Sequence, residues 1–276
     1  MYRGFQLRLN SPRSTSSLSR SLPTNEFIEE LEGYAVYGEK MLKADRAQVE
    51  EILDGFLLSD DSLDGSKIQA NWFPEIKADV FISHSHQDEN LALGLAWFLK
   101  EHFGLKAFID SAVWGYANDL LKDIDNKYCL QTGRQVYNYQ KRNQSTSHVH
   151  MMLSVALTQM IDNTECLFFL NTPNSVSIGA SIDGTTPSPW IYSEIAMSRL
   201  IRERLPERDE AVSESQSRQK CFSSDLIIRY PLPMGHLTEL NSDDLLTWGR
   251  YCKATSRHHR KALDCLYELN PLKKDE

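Results

Sequence analysis

Long apolar segments are missing from this chain of 276 residues. Wholly apolar runs are short, as at Cys166–Leu170, and none approaches the roughly 18 residues that a membrane-spanning helix needs. The first residues also lack the apolar segment of a secretory signal. We therefore expect a cytoplasmic protein that makes no membrane contacts.

Paired cysteines and an excess of positive charge are also absent. The five cysteines are scattered, with no Cys-x-x-Cys pair and no zinc-site spacing, which indicates reduced thiols in a cytosolic protein. The formal net charge of −8 argues against a general nucleic-acid-binding protein, which would normally carry a basic face. The sequence therefore predicts neither a metal site nor a nucleic-acid partner.

Acidic residues are absent from residues 1–24, which contain four arginines and a Ser-rich run from Ser11 to Ser21. An organelle transit peptide has this composition, and so does a solvated leader without fixed structure. We favour the flexible leader. Residues 25–76 carry apolar residues mostly at helical spacing, which predicts a helical extension packed on the main domain.

A strand–helix–strand pattern opens the main domain, which we predict to span residues 77–233. Val80–Ile82 is a short apolar strand, Ser83–Asp88 is a polar turn, and the following helix is apolar on one face. Lys106–Asp110 is a second strand. This βαβ unit predicts an α/β fold with a central parallel sheet.

The rest of the chain continues the alternation of strands and helices. Glu165–Asn171, apolar on both faces, predicts an inner parallel strand, and Asp225–Tyr230 predicts a fourth strand. Residues 131–147 and 172–188 are polar and predict inserted loops. Ser188 and Pro189 suit the cap and first turn of a helix. The predicted helices are 118–130, 149–161, 188–204 and, within a C-terminal helical extension of residues 234–276, a helix or helix pair over 242–269.

Three polar segments follow predicted strands, and the carboxyl ends of parallel strands share one edge, where ligands bind. Ser83-His84-Ser85-His86 follows the first strand, Asp110–Trp114 follows the second, and the helix that carries Glu194 follows the third. Each segment also has a structural interpretation: the turn can cap a helix, Trp114 can belong to the core, and Glu194 can complement the helix dipole. An acid among apolar neighbours is equally a candidate reactive group.

Taken in order, these motifs resemble a TIR (Toll/interleukin-1 receptor) domain over residues 77–233. Asp79–Glu89 (DVFISHSHQDE) is similar to the opening strand and turn, and Ser111–Asp119 falls at the BB loop. Trp190 precedes Glu194 by four residues, as in NAD-cleaving TIR domains. The segment from Asp110 to Ile124 is similar to stand-alone bacterial TIR proteins of antiphage defence, including the signal-making TIR component of Thoeris systems.

The resemblance implies a flavodoxin-like three-layer fold and cleavage of NAD between nicotinamide and ribose, in antiviral innate immunity. Glu194 would be the catalytic residue, NAD the substrate, and no further cofactor is expected. Products would be ADP-ribose or a cyclic or conjugated form of it. Self-association through TIR domains and a downstream effector that senses the product are implied partners. The implied substrate-binding residues are Ser83, His84, Ser85, His86, Asp110, Ser111, Trp114 and Trp190.

Two other functions remain open at this stage. One is a non-catalytic TIR scaffold that acts by self-association, for which a glutamate at position 194 would not be needed. The other is a nucleoside deoxyribosyltransferase-like enzyme on a related fold, which would cleave deoxynucleosides. The chain also departs from a minimal TIR domain, since Ser-His-Ser-His replaces the more usual opening turn and the loops and terminal segments are extra.

Overall fold

Five parallel strands form the central sheet of the computed structural model, which describes residues 1–9, 24–43, 53–60, 62–114, 117–131, 136–177, 184–201, 203–204 and 230–272. The sheet order is β3-β2-β4-β1-β7, where β1 is Arg3–Leu7, β2 is Val80–Ser83, β3 is Ala107–Phe108, β4 is Cys166–Leu170 and β7 is Thr238–Leu240. The strands β5 (Thr185–Thr186) and β6 (Tyr230–Pro231) form a separate antiparallel pair. The α/β class with a central parallel sheet is therefore confirmed, and the sheet is compatible with a flavodoxin-like fold.

Ten α-helices surround this sheet among the described residues. They are α1 (Thr24–Gly33), α2 (Ala35–Lys43), α3 (Gly65–Trp72), α4 (Glu89–Phe103), α5 (Asp110–Val113), α6 (Ala117–Ile124), α7 (Tyr139–Asn163), α8 (Pro189–Leu200), α9 (Ser242–Thr255) and α10 (Arg260–Leu269). Short 3₁₀ turns lie at Leu53–Phe56, His86–Asp88 and Met234–His236, and a π-helical turn lies at Asp125–Cys129.

Helices cover both faces of the sheet. Successive side chains of a strand point to opposite faces, so the apolar inner strands present apolar side chains on both sides. On one face, Phe168 contacts Trp248 of α9, which stacks on Phe103 of α4 with ring centroids 3.7 Å apart. On the other face, Phe81 contacts Phe108, which contacts Trp114 after α5. All residues of β2 and β4 are buried, as expected for inner parallel strands.

The N-terminal helices pack unusually close to α4 through two glycines. A Cβ atom built on Gly94 of α4 would overlap the carbonyl oxygen of Leu31 in α1, and one built on Gly38 of α2 would overlap that of Leu93. Only glycine permits this approach of one helix backbone to another. The predicted helical extension is therefore tightly packed on the main domain.

The predicted leader is wrong in its first part. Residues Arg3–Leu7 form β1, which pairs in parallel with β4 on one side and with β7 on the other. Phe5 and Leu7 alternate with less apolar residues, which is a weak local signal, and the strand is stabilised by partners far away in the sequence. The Ser-rich run from Ser11 to Ser21 lies outside the described residues.

The predicted C-terminal extension is corrected too. It contributes β7 to the central sheet, and α9 buries Trp248 completely in the core, so residues 234–272 complete the main domain. Of the two alternatives predicted for 242–269, one helix or a helix pair, the structure shows the pair, α9 and α10. The predicted fourth strand at Asp225–Tyr230 lies outside the described residues except for Tyr230, which belongs to β6 rather than to the central sheet.

Both predicted loops contain regular structure. Helix α7 begins at Tyr139, inside the predicted loop 131–147, because the Asn138 side chain caps it by accepting a hydrogen bond from the Lys141 N–H. The predicted loop 172–188 includes the short strand β5. The four described cysteines are buried free thiols, as expected, and Cys221 lies outside the described residues.

Candidate functional site

A crevice is expected where the chain reverses its direction across the sheet. From β2 the chain moves to β3 at the sheet edge, and from β3 it returns across β2 to β4. Ser83, the last residue of β2, lies opposite Phe169 of β4 at this point. The side chains that follow β2, β3 and β4 therefore meet at the carboxyl edge between β2 and β4.

Glu194 is held at this edge by the way in which α8 begins. The Ser188 hydroxyl accepts a hydrogen bond from the Ile191 N–H and Pro189 occupies the first turn, so the predicted helix start is confirmed. The Glu194 side chain, 5% exposed, lies one and a half turns into the helix. There the Ser83 hydroxyl donates a hydrogen bond of 2.6 Å to Glu194 Oε2.

Burial dominates the acid–base behaviour of Glu194. Burial away from solvent raises the pKa of the Glu194 carboxyl well above its ordinary range, and the nearby Asp110 carboxyl raises the pKa further. The hydrogen bond from Ser83 acts in the opposite direction and lowers the pKa. When the site holds no cation, the Glu194 carboxyl is therefore biased towards its neutral form. A positive charge bound beside it would favour the carboxylate.

Glu194 faces a cavity of about 380 Å³, within the roughly 300–1,000 Å³ range of small-molecule sites. The predicted site residues on its wall are His84, His86, Asp110, Ser111, Trp114, Trp190 and Glu194. Ser83 and Ser85 do not line the cavity. Ser83 is hydrogen-bonded to Glu194, which does line it. The structure thus brings residues from three separate chain segments to one cavity, while their chemical roles stay predictions.

Trp114 belongs mainly to the core. Its side chain is 6% exposed, its indole N–H donates to the carbonyl oxygen of Pro74 at 2.9 Å, and its ring meets Phe73 and Phe108 edge-on. Only a small part of the ring can reach the cavity. The core interpretation of this residue is therefore confirmed.

His84 carries an unusual feature for a residue on a cavity wall. Both of its ring nitrogens are buried and have no hydrogen-bond partner among the described residues. A buried polar atom without a partner costs roughly 1–3 kcal/mol, so such atoms are uncommon in folded proteins. A ligand group or a small rotation of the ring towards the cavity would supply the missing partner.

Hydrogen bonds to the Asp88 carboxylate fix the turn after β2. Asp88 accepts hydrogen bonds from the Thr172 hydroxyl (2.6 Å) and from the Asn174 side-chain amide (2.7 Å), both in the segment after β4. The turn that carries His84 and His86 is thereby tied to the neighbouring strand's exit loop. The sequence suggested helix capping for this aspartate, but its cross-strand partners are 84 and 86 residues away.

Sequence reasoning missed part of the wall, namely His150 and Leu153 of α7, Asn118 and Ala117 of α6, and Ser188. His150 is half-buried, and its ring meets Trp190 edge-on with centroids 5.4 Å apart. Burial lowers the pKa of the His150 imidazole, which favours its neutral form. The available signal was a histidine beside the apolar stripe of helix 149–161.

The described part of the chain contains no group of three or more His, Cys, Asp or Glu side chains that could hold a metal ion. Nor does any helix within the described ranges combine the length and apolarity needed to cross a membrane.

Comparisons of the chain with protein-family models, with curated proteins and with solved structures find no match. The TIR resemblance therefore rests on the ordered motifs alone, and the function has to be argued from the residues of the site.

Proposed function

We propose that this chain is a TIR-like NAD nucleosidase, which cleaves the bond between nicotinamide and ribose with Glu194 as the catalytic residue. The observation that carries the proposal is the buried Glu194 carboxyl, which accepts a hydrogen bond from Ser83 and faces a ligand-sized cavity at the carboxyl edge of the sheet. ADP-ribose, or a cyclic or conjugated ADP-ribose, would be the second product and would serve as the defence signal.

The charge of the substrate suits this carboxyl. The nicotinamide ring of NAD is cationic, so it can leave as a neutral molecule without being protonated. Positive charge then develops on the ribose as the bond breaks, in an oxocarbenium-like transition state. A carboxylate in a site of low polarity stabilises such a cation far better than water does, because it needs no reorganisation.

The neighbouring groups support the same assignment. Asp110, at the start of α5, adds negative charge beside Glu194, which disfavours the carboxylate in the free protein and favours binding of a cation. His86 and Ser111 offer hydrogen-bond donors and acceptors on the same wall for the ribose hydroxyls or the diphosphate, and His84 can do so after rotation of its ring towards the cavity. Ser83 positions the Glu194 carboxyl rather than touching the substrate.

The test is to incubate NAD with the full chain at increasing protein concentration and to separate the products by chromatography with mass detection. We expect nicotinamide from the wild type and a loss of roughly 10²–10³-fold or more in Glu194→Gln, which keeps the shape and the acceptor for Ser83 but not the charge. Glu29→Gln, an exposed change on α1, is the matched control and should cleave NAD at the wild-type rate.

Two outcomes would contradict this proposal. Equal cleavage by wild type and Glu194→Gln would exclude Glu194 as the catalytic residue. Intact NAD at every protein concentration, together with self-association of the chain, would favour the scaffold function. A panel of deoxynucleosides in the same assay separates the deoxyribosyltransferase-like activity from cleavage of NAD.

A further inference from the structure

The proposed reaction releases a proton in its second half. When the C–N bond breaks, its electron pair goes to the nicotinamide nitrogen, and no proton moves. When the oxygen of water or of a hydroxyl group then forms a bond to the ribosyl carbon, that oxygen must lose its proton. A group on the cavity wall that accepts this proton would favour capture by the hydroxyl over return of the nicotinamide.

We propose, on the basis of the function proposed above, that His150 is this proton acceptor. His150 contacts Trp190 of α8, and Trp190 and Glu194 are four residues apart, so they share one face of that helix. His150 and Glu194 both line the same cavity. A ribosyl group held against Glu194 would therefore occupy the cavity that His150 also lines, where an incoming water or hydroxyl group can be placed beside the imidazole.

The other titratable groups on this wall are less suited to the task. Glu194 and Asp110 lie together, and a carboxylate that stabilises a cation is a poor base while that cation persists. The ring nitrogens of His84 are buried away from water, so an incoming hydroxyl cannot reach them without rotation of the ring. His86 is exposed and hence lies at the solvent side of the site. His150 is half-buried, and burial favours its neutral, basic form.

The step can be isolated because one related reaction needs no base. Exchange of isotope-labelled nicotinamide into NAD breaks and re-forms the same C–N bond without any proton transfer. Net hydrolysis or cyclisation, in contrast, requires the loss of a proton from oxygen. Comparing the two rates in one variant therefore separates bond cleavage from capture by a hydroxyl.

The experiment measures both rates for the wild type, His150→Gln and His148→Gln. We expect His150→Gln to lose roughly 10²-fold in net nicotinamide release, which is typical of a missing general base, while label exchange stays within about threefold of the wild type. His148→Gln makes the same change at an exposed position of α7 and should keep both rates. Thermal melting of each variant checks that the fold is retained.

Four results would overturn this assignment. Equal losses of exchange and of release in His150→Gln would mean that His150 acts on binding or on bond cleavage. Unchanged release would remove it from the reaction, and an Asp110→Asn variant that shows the selective loss instead would transfer the role to Asp110. If the wild type neither releases nor exchanges nicotinamide, the proposed function itself fails, and this inference fails with it.

Discussion

At the scale of single residues, the site is defined by a carboxyl group placed where it is costly to ionise. Glu194 is almost fully buried, has another carboxyl group nearby and accepts a hydrogen bond from the Ser83 hydroxyl. An unfolded glutamate ionises near pH 4.3, so folding shifts the proton equilibrium of this residue upwards. The cost should therefore be visible in the stability of the free protein.

We expect Glu194→Gln to be more stable than the wild type at neutral and alkaline pH. Between the unfolded and the folded pKa of Glu194, the native state binds a proton that the unfolded state does not, so stability falls as pH rises through this window. The wild type should lose up to about 1.4 kcal/mol per pH unit there relative to the variant, and the two should converge below pH 4. Urea unfolding at several pH values measures this difference.

The exposed Glu29→Gln change serves as the reference for a pH trend that any carboxylate would give. A stability difference between wild type and Glu194→Gln that does not change between pH 4 and pH 8 would mean that the carboxyl is ionised in the folded protein. The electrostatic account of the site would then be wrong, even if the residue were essential for activity.

At the scale of helices, the close crossing of α1 and α2 over α4 holds the N-terminal segment in place. Gly94 permits contact with the backbone of Leu31, and Gly38 permits contact with the backbone of Leu93. The apolar spacing of residues 25–43 was sufficient to predict helices and their packing role. Which face they use, and how close they come, depends on α4, whose glycine is inconspicuous among its many apolar residues.

Replacing Gly94 by alanine should destabilise the protein by roughly 1–3 kcal/mol, because the new methyl group forces two helix backbones apart. Gly249→Ala in α9 is the matched control. A Cβ there would meet only Phe103 Cζ at 3.8 Å, so alanine should be neutral or stabilising by up to about 1 kcal/mol through its higher helix propensity. Chemical denaturation of both variants measures the free energy of unfolding. A Gly94→Ala protein as stable as the wild type would contradict the close crossing.

At the scale of the whole molecule, the sheet joins segments from both ends of the chain. β1 lies between β4 and β7, with Phe5 fully buried against Phe168 and Tyr267. Arg3 is buried as well, and its guanidinium donates to the Thr238 hydroxyl and to the carbonyl oxygen of Asn270 at the end of α10. The N-terminal residues therefore connect the sheet with the last helices.

Phe5→Ala should cost about 3–5 kcal/mol of unfolding free energy, which is the range for removing a buried aromatic ring. Arg8→Ala, directly after the end of β1, removes an exposed ion pair with Glu239 and should cost less than about 1 kcal/mol. Equal stability of both variants would mean that residues 3–7 are a solvated leader after all. Urea titrations with two spectroscopic probes provide the comparison.

The contrast between β1 and β2 shows what the sequence could reveal. The β2–α4–β3 unit, the capped start of α8 and the shared edge of Ser83, Asp110 and Glu194 all follow from local patterns together with the rules of parallel sheets. β1 and β7 are short, and each is stabilised by strands remote in sequence, so local composition suggested a leader and a helical extension. His150 escaped notice for a similar reason, since its place on the wall depends on how α7 packs against α8.

The strand order also determines when each strand meets its pairing partner during translation. β1 leaves the ribosome before its partner β4, which follows roughly 160 residues later, and at 5–20 residues per second this delay is on the order of 10–30 s. Throughout that interval the strand's buried side chains have no native partner and are available to molecular chaperones. Because β7 on its other side comes later still, the five-stranded sheet is complete only after residues 238–240 have also been translated.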